Sequence, residues 1–115
     1  MRIRMMVGAH ELFATLDGSA AAESFAAMLP LEFQLDDYHG IEKIADLPGR
    51  LDTSGAPAGC SAAAGDITYY APWGNLAIFY KDFGFAKGLV HLGRIEGTLP
   101  TLAGSRPLPA RIERA

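Results

Sequence analysis

Short runs of alternating apolar and polar residues recur along the chain, and this period of two constrains the fold more than any other feature. In residues 2–7 the apolar Ile3, Met5 and Val7 occupy every second position, while two arginines face the other way. Because successive side chains of a β-strand point to opposite faces, such a run predicts a strand with one buried face. Further strands are predicted at 11–16, 31–36, 41–47, 67–70, 75–80, 89–92 and 94–98.

One segment, residues 19–29, has the period of an α-helix instead. It is rich in alanine, and its apolar residues, among them Ala21 and Phe25, recur at helical spacing. Ser19 is a residue type that favours the N-cap position, and Pro30 stops a helix because it lacks a backbone donor. The segment therefore predicts one main helix of about three turns.

Glycine and proline residues separate the predicted strands at short intervals. Many short strands with glycine corners and one helix are typical of a closed antiparallel β-barrel, in which closure removes exposed strand edges. We therefore predict a mainly β protein with a single domain over residues 1–100, followed by a partly ordered C-terminal tail at 101–115. Gly93 interrupts the last apolar run and predicts a bulge or a close approach of two backbones.

Two segments lack the strand pattern. Residues 48–65 are rich in glycine, alanine, serine and proline and show no periodicity. A loop of this length is uncommon inside a compact domain, so we expect either a functional flap or a mobile insertion. Residues 81–88, which contain two glycines, are predicted to form a shorter loop.

The composition excludes several classes of function. The chain has 115 residues and a formal net charge of −3, whereas nucleic-acid binding requires a basic face. The single cysteine, Cys60, cannot form an internal disulfide or a zinc cluster. No apolar stretch reaches the ~18–20 residues that span a bilayer, and the N-terminus lacks the apolar run of a signal peptide. We expect a cytoplasmic protein without nucleic-acid or membrane partners.

The order of these segments, together with two motifs, resembles the cyclophilin barrel. The motifs are "GDITYYAPWGNLAIFY" at 65–80 and "LGRI" at 92–95. Cyclophilins carry a Gly-Asp before a strand, then a Gly-led apolar strand and a closing strand, in the same order. The chain looks closest to the small bacterial cyclophilin-like domains, whose function is largely undefined, and the resemblance covers about residues 2–99.

The resemblance implies a fold more firmly than an activity. Prolyl isomerisation by cyclophilins requires an arginine whose guanidinium donates to the prolyl amide and weakens its conjugation. Here that position falls on Ala45 or Gly40, depending on the alignment, and the family's glutamine falls on Ala63. We therefore expect a non-catalytic module that binds a small ligand or an extended peptide. The alternative is a peptidyl-prolyl cis-trans isomerase with a displaced or weak active site, which would use a displaced arginine such as Arg50. An enzyme of another class is neither supported nor excluded.

The candidate ligand-binding residues are Trp73, Leu76, Ile78, Arg50 and His91. Trp73 lies in a Pro-Trp-Gly corner, where a tryptophan is often half exposed. Leu76 and Ile78 match pocket positions of the cyclophilins and predict an apolar groove flanked by the 48–65 segment. His91 alternates with apolar neighbours and is expected to face outward or toward the groove.

No combination of residues predicts catalytic, metal or cofactor chemistry. Asp66, at a strand start, is expected to accept hydrogen bonds from neighbouring backbone donors. Cys60 has no basic neighbour in the sequence that would activate its thiol. The three histidines, His10, His39 and His91, would have to converge in the fold to bind a metal. We therefore predict no metal and no cofactor.

Overall fold

The computed structural model describes residues 1–97, 102, 104 and 106–115. Within these residues the chain forms ten strands and one helix. In chain order the elements are β1 (Arg2–Val7), β2 (His10–Leu16), α1 (Ala20–Ala27), β3 (Leu31–Tyr38), β4 (Glu42–Asp46), β5 (Gly59–Ala62), β6 (Asp66–Tyr70), β7 (Asn75–Phe79), β8 (Phe83–Lys87), β9 (Leu89–Ile95) and β10 (Leu108–Arg114).

Eight of these strands close into a barrel in the order β1-β10-β3-β4-β7-β6-β9-β2. Every neighbouring pair is antiparallel. Because the last strand of this order pairs with the first, the barrel has no unpaired strand edge. The predicted closed antiparallel barrel with one main helix is confirmed.

The apolar side of the alternating runs faces the inside of the barrel, as the period of two predicts. Ile3 and Met5 of β1, and Leu76 and Ile78 of β7, have no exposed surface and belong to one core cluster. Burying side chains of this size contributes about 1.5–3 kcal/mol each, so this cluster is a main source of the stability of the barrel.

Helix α1 begins at the predicted N-cap. The Oγ atom of Ser19 accepts a hydrogen bond from the backbone nitrogen of Ala22 at 3.2 Å. Phe25 is fully buried and joins the helix to the barrel core. The helix ends at Ala27, earlier than predicted, because Pro30 disfavours helical geometry in the residue before it. No helix in the described part of the chain is long and apolar enough to cross a membrane.

Strand β10 lies in the segment that the sequence predicts to be a partly ordered tail. It pairs with β1 on one side and with β3 on the other, and its residues Ala110 and Ile112 are buried. The predicted division of the chain at residue 100 is therefore corrected, since residues 108–114 are part of the barrel. Apolar and polar residues do alternate in this segment, but the prolines within and beside it argue against a strand when the sequence is read alone.

Strand β9 runs without interruption through Gly93, where a bulge or close approach is predicted. Its pairing with β6 shifts in register between Ile67 and Thr68, opposite Gly93. A Cβ atom at Gly93 would lie 2.4 Å from the carbonyl oxygen of Thr15, so only glycine fits there. The predicted end of this region at residue 98, and the start of the tail, fall on residues 98–101, 103 and 105, which lie outside the described residues.

Both segments that lack the strand pattern contain a strand. β5 lies in the 48–65 segment, β8 lies in the 81–88 segment, and the two pair as a ribbon outside the barrel. β5 could not be predicted from the sequence because its small residues show no alternation of apolar and polar side chains. The ribbon covers a second core on the outer face of the barrel, formed by Ala62, Ala77, Phe79 and Leu89.

Candidate functional site

A cleft of about 220 Å³ opens beside the second core, and most of its lining residues are aromatic. We call it the aromatic pocket. It is lined by Tyr38, Glu42, Tyr70, Trp73, Phe79, Phe83, Ala86 and Leu89.

The barrel sheet places three of these residues side by side. Tyr38, at the end of β3, is the cross-strand partner of Glu42, and Glu42 is in turn the partner of Phe79 in β7. Directly opposed residues on neighbouring strands point to the same face of the sheet, with Cβ atoms about 4.5–5.5 Å apart. The three side chains therefore share the outer face of the barrel.

Trp73 lies in the turn that connects β6 to β7. The turn is fixed by a hydrogen bond from the backbone nitrogen of Gly74 to the carbonyl of Tyr70, 2.9 Å long. Gly74 has a φ of 67°, a conformation that glycine adopts at little cost. This geometry leaves 56% of Trp73 exposed at the pocket.

Two tyrosines hold the Trp73 ring. The ring centroid of Tyr38 lies 5.6 Å from that of Trp73, and the ring centroid of Tyr70 lies 5.4 Å from it. Both pairs are edge-to-face, with interplanar angles of 85° and 82°. Such pairs contribute about 0.5–1.5 kcal/mol beyond the area they bury, so the exposed indole has a defined orientation.

The ribbon completes the pocket from the opposite side. Phe83 of β8 stacks on Phe79, with ring centroids 5.9 Å apart. Phe83 is 41% exposed, and the neighbouring Phe85 is 69% exposed but does not line the cleft. Phe83 thereby joins the β5–β8 ribbon to the wall of the pocket.

Glu42 is the only charged residue among the described residues that line the pocket. Burial raises the pKa of its carboxyl group, and no hydrogen bond or neighbouring charge offsets that effect. The carboxylate therefore lies in surroundings that solvate it less well than water does. An aromatic pocket with one acid in its wall is chemically suited to hold an apolar group and a positive charge together.

A second cleft, of about 300 Å³, lies where the N-terminus of α1 meets β9 and the 54–60 segment. We call it the histidine cleft. The Nδ1 atom of His91 lies 2.6 Å from the carboxylate of Asp17, and its Nε2 atom lies 3.4 Å from the carboxylate of Asp66. Burial lowers the pKa of His91, but the two carboxylates together outweigh it, and the net shift is upward.

Asp66 has the structural role that the sequence predicts. Its carboxylate accepts a hydrogen bond from the backbone nitrogen of Ala63 at 2.8 Å and another from the guanidinium of Arg94 at 2.8 Å. These bonds fix the start of β6 and join it to β9, which supplies Arg94. The prediction that Asp66 bonds nearby backbone donors is confirmed.

Cys60 lines the histidine cleft but is not activated. Its thiol donates to the carbonyl of Leu89 at 3.3 Å. Burial raises the pKa of this thiol, and the charge of Asp66 raises it further. A cysteine held as a neutral thiol is a poor nucleophile, so the cleft offers no activated sulfur.

The structure separates the predicted site residues. Leu76 and Ile78 are fully buried in the barrel core, so a ligand cannot contact them without opening the barrel. Trp73 lines the aromatic pocket, and His91 lines the histidine cleft. Arg50 is exposed, lines neither cleft, and donates to the carbonyl of Ala71 at 3.0 Å. The predicted groove at Leu76 and Ile78 is therefore replaced by a pocket on the other face of β7.

Sequence reasoning missed the residues that give the aromatic pocket its character. Glu42 and Tyr38 flank the turn after β3, and their relation to Trp73 depends on pairing between distant strands. Phe83 falls in the segment that is predicted to be a loop. The residues described by the structure contain no group of three or more His, Cys, Asp or Glu side chains that could hold a metal ion.

Two comparisons place the chain among known proteins. The sequence matches the model of the Cyclophilin-like family over residues 5–112. The solution structure of a hypothetical protein from Archaeoglobus fulgidus is similar, with a TM-score of 0.69 and 20% identity over 100% of this chain and 95% of that chain. This identity shows a shared fold alone, and no curated protein matches the chain. Because the family match covers nearly all of the barrel, the chain belongs to the Cyclophilin-like family.

Proposed function

We propose that the protein is a non-catalytic binding module that takes a small ligand, or one side chain of an extended peptide, in the aromatic pocket. The observation that carries this proposal is Trp73, which is 56% exposed and yet packs edge-to-face against both Tyr38 and Tyr70. An aromatic group that is fixed before binding loses little conformational entropy when a ligand arrives. Concave apolar surfaces with a few polar groups are typical of ligand sites.

The size of the pocket supports a small ligand. Its volume of about 220 Å³ lies below the roughly 300–1,000 Å³ that is typical of sites for drug-sized molecules. A compact group, such as a single side chain or a small organic molecule, is therefore the expected occupant.

The chemistry of the pocket supports binding over catalysis. Among the described lining residues Glu42 is the only carboxylate, and the lining contains no histidine, lysine or cysteine. General acid–base catalysis is most readily built from two groups with separated pKa values, and such a pair is not part of this lining.

No observation favours the isomerase alternative. The positions that match the cyclophilin arginine are Ala45, which is buried, and Gly40, which lies in a turn. Arg50 already donates to the carbonyl of Ala71 and does not line the aromatic pocket.

Trp73 is the single tryptophan of the chain, so its fluorescence reports on the pocket. A thermal-shift screen of metabolites and short peptides on the full chain would identify ligands, because a ligand that binds only the folded state raises the melting temperature. We expect the hits to protect Trp73 from an added quencher. Tyr70→Ala should lose the binding and Phe85→Ala, outside the lining, should keep it. Hits that leave the quenching unchanged and bind Tyr70→Ala normally would contradict the proposal.

A further inference from the structure

The carboxylate of Glu42 has no ion-pair partner among the residues that the structure describes. In the part of the chain that the structure describes, every ion pair involves other acidic residues. Burial is the only effect on its pKa, and it acts against the charged form. A positive charge brought to this half-buried carboxylate would stabilise its charged form.

The nearest lysine in the sequence does not supply that charge. Lys43 follows Glu42 in β4 and therefore points to the opposite side of the sheet. It is fully buried, and its Nζ atom lies 3.4 Å from the carboxylate of Asp37. Lys43 is thus paired on the inner side of the barrel, and the charge of Glu42 is left on the outer side.

The rings around Glu42 are arranged as walls and not as a flat surface. Tyr38 and Tyr70 both stand nearly perpendicular to Trp73, at 85° and 82°. The face of an aromatic ring attracts a cation whose centre lies within about 6 Å of the centroid, and tryptophan does so most strongly. Rings in different planes allow one compact cation to contact more than one face.

The chemistry of the lining residues also indicates which kind of cation the pocket would bind. A calcium or magnesium ion requires about six oxygen ligands, whereas this pocket offers one carboxylate. A primary ammonium group is compact and strongly hydrated, so it loses water at high cost in an aromatic setting. A methylated ammonium group carries the same charge but covers it with apolar surface. That combination matches the lining, which is aromatic apart from Glu42, Ala86 and Leu89.

We infer that the aromatic pocket recognises a methylated ammonium group, with Glu42 as its counter-charge and Trp73, Tyr38 and Tyr70 as its walls. The inference rests on the proposed function and names the chemical class of its ligand. The group is carried either by a small molecule or by a modified side chain of a peptide, and both present the same chemistry to the pocket.

Two probes of equal shape test the inference. Choline carries a trimethylammonium group, and 3,3-dimethyl-1-butanol is its neutral carbon counterpart. Their affinities for the 115-residue chain would be measured by calorimetry and by quenching of Trp73. We expect choline to bind at least about tenfold more tightly than the neutral alcohol. Glu42→Gln, which keeps the shape of the side chain, should reduce this preference to the part that the aromatic rings supply. Glu23→Gln, which removes an equal charge from the exposed surface of α1, should retain it.

The possible outcomes separate the two proposals. Equal affinity of both probes for the unaltered chain, with loss of both in Tyr70→Ala, would overturn the inference about charge and leave the proposed function intact. Binding of neither probe at millimolar concentration, with unaltered Trp73 emission, would overturn the inference, while other hits in the thermal-shift screen would still support the pocket as a site. A trimethyllysine peptide that binds more tightly than choline would identify a peptide as the source of the group, and tighter binding of choline would identify a small molecule.

Discussion

The ammonium group of Lys43 lies 3.4 Å from the carboxylate of Asp37, and the lysine side chain has no exposed surface. The same nitrogen donates to the backbone carbonyls of Gly104 and Arg106. The hydroxyl of Tyr80 also donates to Asp37, and this bond and the nearby Lys43 keep the pKa of that carboxyl below its usual value. Lys43 therefore joins β4 to the segment that precedes β10.

Replacement of Lys43 by methionine is expected to destabilise the protein. Lys43→Met removes the positive charge beside the Asp37 carboxylate and the donor to the carbonyls of Gly104 and Arg106. Loss of one partner of a buried ion pair costs about 3 kcal/mol or more. Urea denaturation would measure the change in the free energy of unfolding. Lys81→Met, at an exposed lysine, should change it by no more than about 0.5 kcal/mol. Equal stabilities of the two variants would show that the buried pair contributes nothing.

Gly59→Ala is expected to disturb both stability and ligand binding. A methyl group there would lie 2.2 Å from the carbonyl oxygen of Ala86, so β5 and β8 must separate. Overpacking of this kind costs about 1–3 kcal/mol. Because β8 supplies Phe83 to the aromatic pocket, we also expect weaker binding.

The matched control for this change lies in the same ribbon. A Cβ atom at Gly84 meets no atom within 4 Å, so Gly84→Ala should be tolerated. Thermal denaturation and quenching of Trp73 would compare the two variants. A Gly59→Ala protein that melts and binds as Gly84→Ala does would refute the role of this close approach.

The contribution of His91 to stability is expected to depend on pH. Its pKa is raised in the folded protein, so the charged form is favoured by Asp17 and Asp66. The stabilisation is fully present below the pKa of the unfolded state, about 6.5, and is lost as the pH rises through the folded pKa. The difference in unfolding free energy between the unaltered chain and His91→Gln should therefore be larger at pH 5.5 than at pH 8.5. A difference that stays constant between these two pH values would contradict this.

Trp73→Ala is expected to separate binding from folding. The indole is 56% exposed, and its loss removes two edge-to-face pairs, so the unfolding free energy should fall by only about 1–3 kcal/mol. Ligand affinity should fall by at least about tenfold, as measured by calorimetry. Phe85→Ala removes an aromatic residue of similar exposure outside the pocket and should leave affinity unchanged. If both variants bind alike, Trp73 is not part of the site.

The barrel was predictable because most of its strands carry their pattern in adjacent residues. The alternation of Ile3, Met5 and Val7 is visible without knowledge of the partner strands. The Ser19 cap of the helix was predictable for the same reason, since it depends only on residues within one helical turn. β5 and β10 were not predictable in this way. The small residues of β5 show no contrast between its faces, and the prolines around β10 indicate a tail when read locally.

The candidate site was harder to predict from the sequence than the fold was. The Pro-Trp-Gly corner makes Trp73 recognisable in the sequence as a candidate binding residue. Leu76 and Ile78 are apolar, and an apolar residue fits a buried core and a binding groove equally well. Only the barrel shows which face of β7 is inside. Glu42 becomes a candidate site residue only because it lies beside Tyr38 and Phe79 in the sheet. The sequence alone does not show which strands pair or in which register.

The position of β10 between β1 and β3 has a consequence for the nascent chain. One edge of β1 and one edge of β3 pair with β10. The backbone donors and acceptors on these edges therefore stay unpaired until residues 108–114 have left the ribosome. Until then the barrel is an open sheet with two unpaired edges, which favour association with other chains. Closure is thus a late event that joins the first strand to the last, and a ribosome stalled before residue 108 would hold an aggregation-prone species.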